Sequence, residues 1–297
     1  MKKKLAILLS ACLLGGVLAP ATVMADEQTY VALGADLDAA GRSTVLSLLN
    51  VTEEELVTDT VLTVTNAEEH QHFDSYMDPS VIGTRALSSC KVVAKNEGGI
   101  TVETHNITYC TPAMYENALA TAGLKNAEVV VAGPFNLSGT CALVGVLKAY
   151  EAMTGETIDP EVVDVASNEL VMTADVAESV GDSEKITQLI AAIKQIILSH
   201  DYETDADIDA AIQEVAGQMN IVLSAEDVVT IRDFCKKFGN LNINPEDLSS
   251  ATTIYDKLKA EGIDLSDLGN SDYAEGLFGV LTRLWDQIVG FFVGLFG

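Results

Sequence analysis

The sequence predicts an α/β domain (α+β is the variant) with a mixed sheet, followed by an all-helical acidic region. Two observations carry this. From Tyr30 to about residue 153, short runs rich in β-branched residues alternate with amphipathic stretches, as strands and helices around one sheet do. Beyond Thr154 the β-type runs fade, and segments of helical spacing follow one another, most opening on Asp, Ser or Asn.

The elements follow in order. Tyr30 to Leu33 reads as a strand, and Val45, Leu46, Leu48 and Leu49 mark one side of a helix ending before Val51. Val57 to Val64 is a second strand, and Asn66 followed by Glu69 resembles an N-cap with an acid at N3, opening a helix through about Met77. Arg85 to Tyr109 reads as a hairpin turning at Glu97-Gly98-Gly99, with Val93 opposite Val102. Thr111-Pro112 is an N-cap and N1 pair for a helix through Ala122, stopped by Gly123. Glu128 to Ala132 is a short apolar strand; after the loop Gly133 to Leu137, Ser138 caps a helix to about Met153. Helices are then expected over 160–177, 183–198, 205–219, 224–238 and 245–261, and from Ser271 to the end. The domain organisation is a leader over 1–25, the α/β domain over 26–153, the acidic helical region over 154–270 and an apolar C-terminal helix over 271–297.

The leader is an export address. Lys2, Lys3 and Lys4 precede an apolar run from Leu5 to Ala19, and Val23-Met24-Ala25 forms a small-x-small cleavage site before Asp26. The protein is expected to be secreted after cleavage at Ala25, or retained at the envelope. A lipid-modified Cys12 is disfavoured because the apolar run continues past it through Val17 and Leu18. The mature chain keeps Cys90, Cys110, Cys141 and Cys235, which in an oxidising compartment allow three complete disulfide pairings. In the hairpin register Cys90 faces His105 and Cys110 faces Arg85. That is five residues out of step, or about 17 Å, too far for a direct bridge. Buried free thiols are the alternative, and the pairing stays open.

Net charge limits the partners. Lys and Arg number 17 against 44 Asp and Glu, a balance of −27. Losing the leader's three lysines deepens it to −30. Electrostatic attraction to phosphate backbones or anionic lipid is therefore excluded as the main binding mode, and no nucleic-acid partner is expected. Two thirds of the charge lies after residue 150.

Several runs are familiar. Leu33-Gly34-Ala35-Asp36-Leu37, Thr65-Asn66-Ala67-Glu68-Glu69-His70, Ile82-Gly83-Thr84-Arg85-Ala86, Thr104-His105-Asn106-Ile107-Thr108, Asn117 to Gly123, Ser138-Gly139-Thr140 and Gly145 to Glu151 resemble those of the YpuA-like secreted proteins of Gram-positive bacteria. The resemblance spans about residues 30 to 151 and is weaker in the helical half. It implies an extracytoplasmic location. The family is a domain of unknown function, so no catalytic or ligand residues carry over.

The best-formed candidate site is the helix start at Ser138, Gly139 and Thr140, where free N–H groups and a positive dipole end would face an anion or carboxylate. A phosphate-binding P-loop needs glycine and lysine where Ser138 and Gly139 stand, and the hydrolase elbow needs glycine where Asn136 and Thr140 stand. The plain alternative is a helix cap with close packing at Gly139. No catalytic residue, cofactor or metal site is therefore assigned, and the ligand or partner stays unknown. His70 and His72 share a face only in a strand, and His105 lies on the solvated side of its own; surface histidines are the expectation, with His200 at a helix end. Asp205-x-Asp207-x-Asp209 opens like a calcium loop, but Ala210 and Ala216 replace the required glycine and glutamate, so an acidic first helical turn is expected.

The final stretch is amphipathic: Leu281, Leu284, Trp285, Ile288, Phe291 and Phe292 share its apolar side. Only ten apolar or glycine residues follow Gln287, against the roughly 20 that span a bilayer. It reads as a closing helix or as a membrane- or partner-binding one. The functional expectation is a binding protein of the cell envelope or medium. The alternatives are a secreted hydrolase with its site near Ser138, or an envelope protein making weak membrane contact through that last helix.

Overall fold

The computed structural model describes residues 29–57, 60–199 and 202–241, with 243 and 248. The leader, His200 and the expected helices over 245–261 and from Ser271 onward lie outside the described residues.

Five strands form one mixed sheet: β1 (Thr29–Gly34), β2 (Thr60–Val64), β3 (Ser89–Ala94), β4 (Ile100–Ile107) and β5 (Ala127–Leu137). Their spatial order is β2-β1-β3-β5-β4. The outer pairs β1–β2 and β4–β5 are parallel, and the central β3 runs antiparallel to both of its neighbours. Helices α1 (Ala39–Leu48) and α4 (Pro112–Thr121) join the members of the two parallel pairs.

The hairpin reading is corrected here. β3 and β4 do turn at Gly98 and Gly99, both at positive φ, but they are not neighbours. β5 lies between them, pairing Val93 with Glu128 and Val102 with Val129. The physical reason is burial: Val129 to Ala132 are buried on both faces, as a central strand requires and an edge strand does not. β5 also runs on through Gly133 to Leu137, the stretch read from sequence as a loop.

Helix punctuation corrects two further readings. Helix α2 (Asn66–Phe73) is capped by Thr65, whose hydroxyl accepts from the Glu68 N–H while Glu68 reaches back to the Thr65 N–H at 2.7 Å. The capping box therefore lies one residue earlier than the Asn66–Glu69 pair, and the helix stops before Met77. Helix α5 (Thr140–Thr154) is capped not by Ser138 but by Gly139, at φ 101° and with no side-chain cap. The short helix α3 (Pro79–Ile82) leads into the segment before β3.

The two faces of the sheet differ. On one, α1 covers Val31, Leu33, Val130 and Ala132. On the other, α2, α4 and α5 meet a continuous core that also takes in the helices α6 (Pro160–Val180), α7 (Ser183–Ser199), α8 (Asp205–Gln218) and α9 (Ala225–Gly239). Helix α4 receives α6 and α7. At that junction Lys194 and Glu169, both fully buried, pair at 2.6 Å, and the Lys194 ammonium also donates to the Asn117 carbonyl and the Thr121 hydroxyl.

All four described cysteines are buried free thiols. Cys90 lies on β3 opposite Val131, and burial pushes its thiol up to about 12. The Asp205 triplet opens α8, with Thr204 and Asp207 forming a capping box. Asp205 pairs with Lys236 and Asp209 with Arg232, fastening α8 to α9. Among the described residues, no helix is long and apolar enough to cross a membrane.

Candidate functional site

Two adjoining clefts, of about 320 and 250 Å³, open at the carboxyl ends of β1 and β5 and share Arg85, Leu87 and Phe135. The chain leaving β1 enters α1 on one face of the sheet, and the chain leaving β5 enters α5 on the other. The crevice between two strand ends that part to opposite faces is where open α/β sheets bind ligands.

The wall between the clefts is the segment from Gly83 to Ser88, and it is fastened on every side. Asp36 accepts from the Ala86 N–H at 2.8 Å. The Ala86 carbonyl in turn accepts from the Asp36 N–H, and it lies so close to Gly34 that a side chain there would overlap it. The His70 ring contacts the Gly83 carbonyl through Nε2 at 2.8 Å and Asp74 through Nδ1 at 2.6 Å. Both partners accept, so only the imidazolium satisfies both, and its pKa is raised by Asp74 first and the Gly83 carbonyl second.

The floor belongs to α2 and α5. Glu69, 3% exposed, accepts from the Thr140 hydroxyl at 2.7 Å. Its other oxygen, Oε2, is buried with no partner in hydrogen-bonding geometry. Burial raises the carboxyl's pKa, offset in part by Thr140, Asn66 and the Cys141 backbone. Ser138 and Thr140 hydroxyls lie 3.2 Å apart. Thr140 has one hydroxyl proton and gives it to Glu69, so Ser138 is the donor to Thr140 and keeps its lone pairs free. The direction of the chain is Ser138 to Thr140 to Glu69.

The start of α5, where the sequence places an anion or carboxylate, has partners of its own within the fold. The uncapped start of α5 is already covered from within: Ser88 Oγ accepts from the Ala142 N–H at 2.9 Å, and Glu69 lies over the first turn. Of the three residues singled out from sequence, Ser138 lines the cleft, whereas Gly139 and Thr140 are buried behind it. Gly139 has no room for a side chain, because a Cβ would overlap the Tyr115 hydroxyl, which donates to the Gly139 carbonyl at 2.6 Å.

Sequence reasoning missed Glu69 as a site residue and missed Arg85 entirely. Arg85 is exposed where the clefts meet and has neither ion pair nor hydrogen bond among the described residues. The signal for Glu69 was the Glu68-Glu69 pair after Thr65, since only one of two adjacent acids can close a capping box. For Arg85 no local pattern existed. His105 approaches Glu103 at 3.2 Å and His72 is half-buried, its pKa lowered by desolvation. No group of three or more His, Cys, Asp and Glu side chains suited to a metal occurs among the described residues. The apolar side of the C-terminal stretch, Leu281 to Phe292, falls outside them.

Comparison with known proteins gives a family without adding an activity. No solved structure matches the chain. The uncharacterized protein YpuA of Bacillus subtilis (strain 168) is 35% identical over 283 residues, covering 93% of this chain and 94% of that relative. Residues 33–254 match the family described as a protein of unknown function, DUF1002. The matched span holds every strand and helix that builds the clefts except the first residues of β1, and the chain belongs to the DUF1002 family.

Proposed function

We propose that the protein is exported and acts in the cell envelope or medium by binding a small ligand in the cleft that Ser138 and Glu69 line. The supporting observation is the unpartnered Oε2 of a buried carboxyl at a crevice on the carboxyl ends of the strands. Leaving such a group unpaired costs about 1–3 kcal/mol, and a bound donor removes that cost. The leader residues and the strongly acidic mature chain support the location.

The test uses the mature chain from Asp26 to Gly297. Fractionated envelope extract is screened by thermal shift against the wild-type protein and Ser138→Trp, which fills the cleft. At least one fraction is expected to raise the wild-type melting temperature by about 2 °C or more and to leave the variant unmoved. Fractions that shift both proteins equally, or none at all, overturn the reading. Mass spectrometry of the supernatant and envelope fractions checks export by looking for an N-terminus at Asp26.

The hydroxyl chain favours one second reading. A proton path from Ser138 through Thr140 to Glu69 is the form a hydroxyl nucleophile with a remote base would take. Turnover of p-nitrophenyl esters that disappears in Ser138→Ala would support a hydrolase, and equal rates in the two proteins would remove it.

A further inference from the structure

We propose that the cleft takes a small zwitterion, a free amino acid or dipeptide with an apolar side chain, its ammonium group at Glu69 and Ser138 and its carboxylate at Arg85. This rests on the cleft being the binding site. The inference starts from which polar atoms are left over. At the α5 end two acceptors stand out: the Ser138 oxygen, whose proton is committed to Thr140, and Glu69 Oε2, which has no partner in hydrogen-bonding geometry. At the shared rim the free group is a donor, the Arg85 guanidinium, whose planar fork suits a carboxylate. Between them stand the apolar side chains of Val81, Ile82, Leu87, Phe135 and Leu137, and Phe135 is 53% exposed at the lip.

Other ligand classes leave one end unsatisfied. A phosphate or sulfate meets Arg85 but faces two acceptors at the floor. A neutral polyol supplies donors to the floor but leaves the guanidinium without a counter-charge. A net anion is also repelled by a mature chain of charge −30, and a zwitterion is not. The volume of about 320 Å³ lies at the small end of ligand sites, as an amino acid or dipeptide requires.

Calorimetric titration of the mature chain with L-leucine and with L-alanyl-L-leucine, its N-acetyl form and its C-terminal amide tests the proposal. At least one zwitterion is expected to bind, and each blocked dipeptide to bind at least tenfold more weakly than the free one. Arg85→Gln is expected to bind the dipeptide and its amide equally, and Glu69→Gln to lose the preference for the free amine. Arg85 is exposed and unpaired, so its substitution leaves folding intact and keeps the test valid even where Glu69→Gln does not fold. Burial raises the Glu69 pKa, and an ammonium bound beside the carboxyl favours its ionised form. Wild-type affinity for the zwitterion then rises with pH through the Glu69 titration, and affinity for the N-acetyl form does not.

Absence of binding by both zwitterions, or equal binding of the N-acetyl form, overturns the assignment. An envelope fraction that stabilises the wild type but not Ser138→Trp, with no amino-acid or peptide binding, removes the zwitterion and keeps the cleft. Failure of both experiments removes both.

Discussion

Glu69 sits one position past the acid that closes the cap of its own helix, and that position decides its chemistry. Glu68 faces outward to Lys148 at 2.6 Å and to the Thr65 N–H. Although its partial burial works upward, Lys148 and Thr65 hold its carboxyl down at about 2. Glu69 faces inward, where burial drives its carboxyl the other way. Thr140→Val removes the one side-chain hydroxyl that Glu69 holds in hydrogen-bonding geometry and should cost about 1–3 kcal/mol. It also raises the Glu69 pKa further. A carboxyl raised in the folded state contributes stability that is present below its unfolded pKa and lost as pH rises through the folded one. The variant should therefore be more destabilised at pH 8 than at pH 5, which urea titrations at the two values would show; equal losses would contradict the Glu69 contact. At His70 the same logic gives a spectroscopic prediction. Asp74→Asn removes the main cause of its raised pKa, so the imidazole titration followed by NMR should move down.

At the scale of elements, the junction of α4, α6 and α7 turns on Lys194. Desolvation lowers its pKa and Glu169 opposes that, so the ammonium is held by its partners and not by solvent. Lys194→Met alone leaves the Glu169 carboxylate buried without its counter-charge and is expected to cost about 3–5 kcal/mol. The double variant Glu169→Leu/Lys194→Met should recover most of that loss, because neither charge then needs desolvation. A double variant as unstable as the single one would mean that the pair sets the packing itself. The same elements show what was legible in the sequence. Thr111-Pro112, Thr204 and Ser224 announce their helices through local hydrogen bonds, and local bonds are what a sequence pattern encodes. The insertion of β5 between β3 and β4 depends on which strands cover each other, a non-local matter. The pairing of Glu69 with Thr140 spans 71 residues, so the candidate site could be placed at Ser138 without its floor or its Arg85 rim being seen.

Over the whole molecule, charge sets how stability varies with pH. The chain's net charge of −27 repels itself, and protonation relieves that repulsion. Burial raises the carboxyl pKa of Glu69, Glu116, Asp175 and Glu214. His70 is raised by its two acceptors. Each of these contributes stability that is lost as pH rises through its folded pKa. Two opposing effects limit the acid side. Glu53, Glu55, Glu68, Asp78 and Asp205 are lowered by their hydrogen-bond partners and lose their contribution as pH falls below the ordinary carboxylate range. His72, lowered by burial, resists charging below about pH 6.5. The groups shifted upward and the self-repulsion favour the acid side of the usual window of about pH 5 to 8. Urea midpoints measured from pH 4 to pH 9 should therefore peak on that side of the window and fall toward both ends. Adding salt at pH 8 should raise the midpoint more than at pH 5, since screening relieves repulsion where more carboxylates are ionised. A midpoint that climbs steadily to pH 8, or a salt effect of equal size at both values, would show that surface repulsion does not govern the fold.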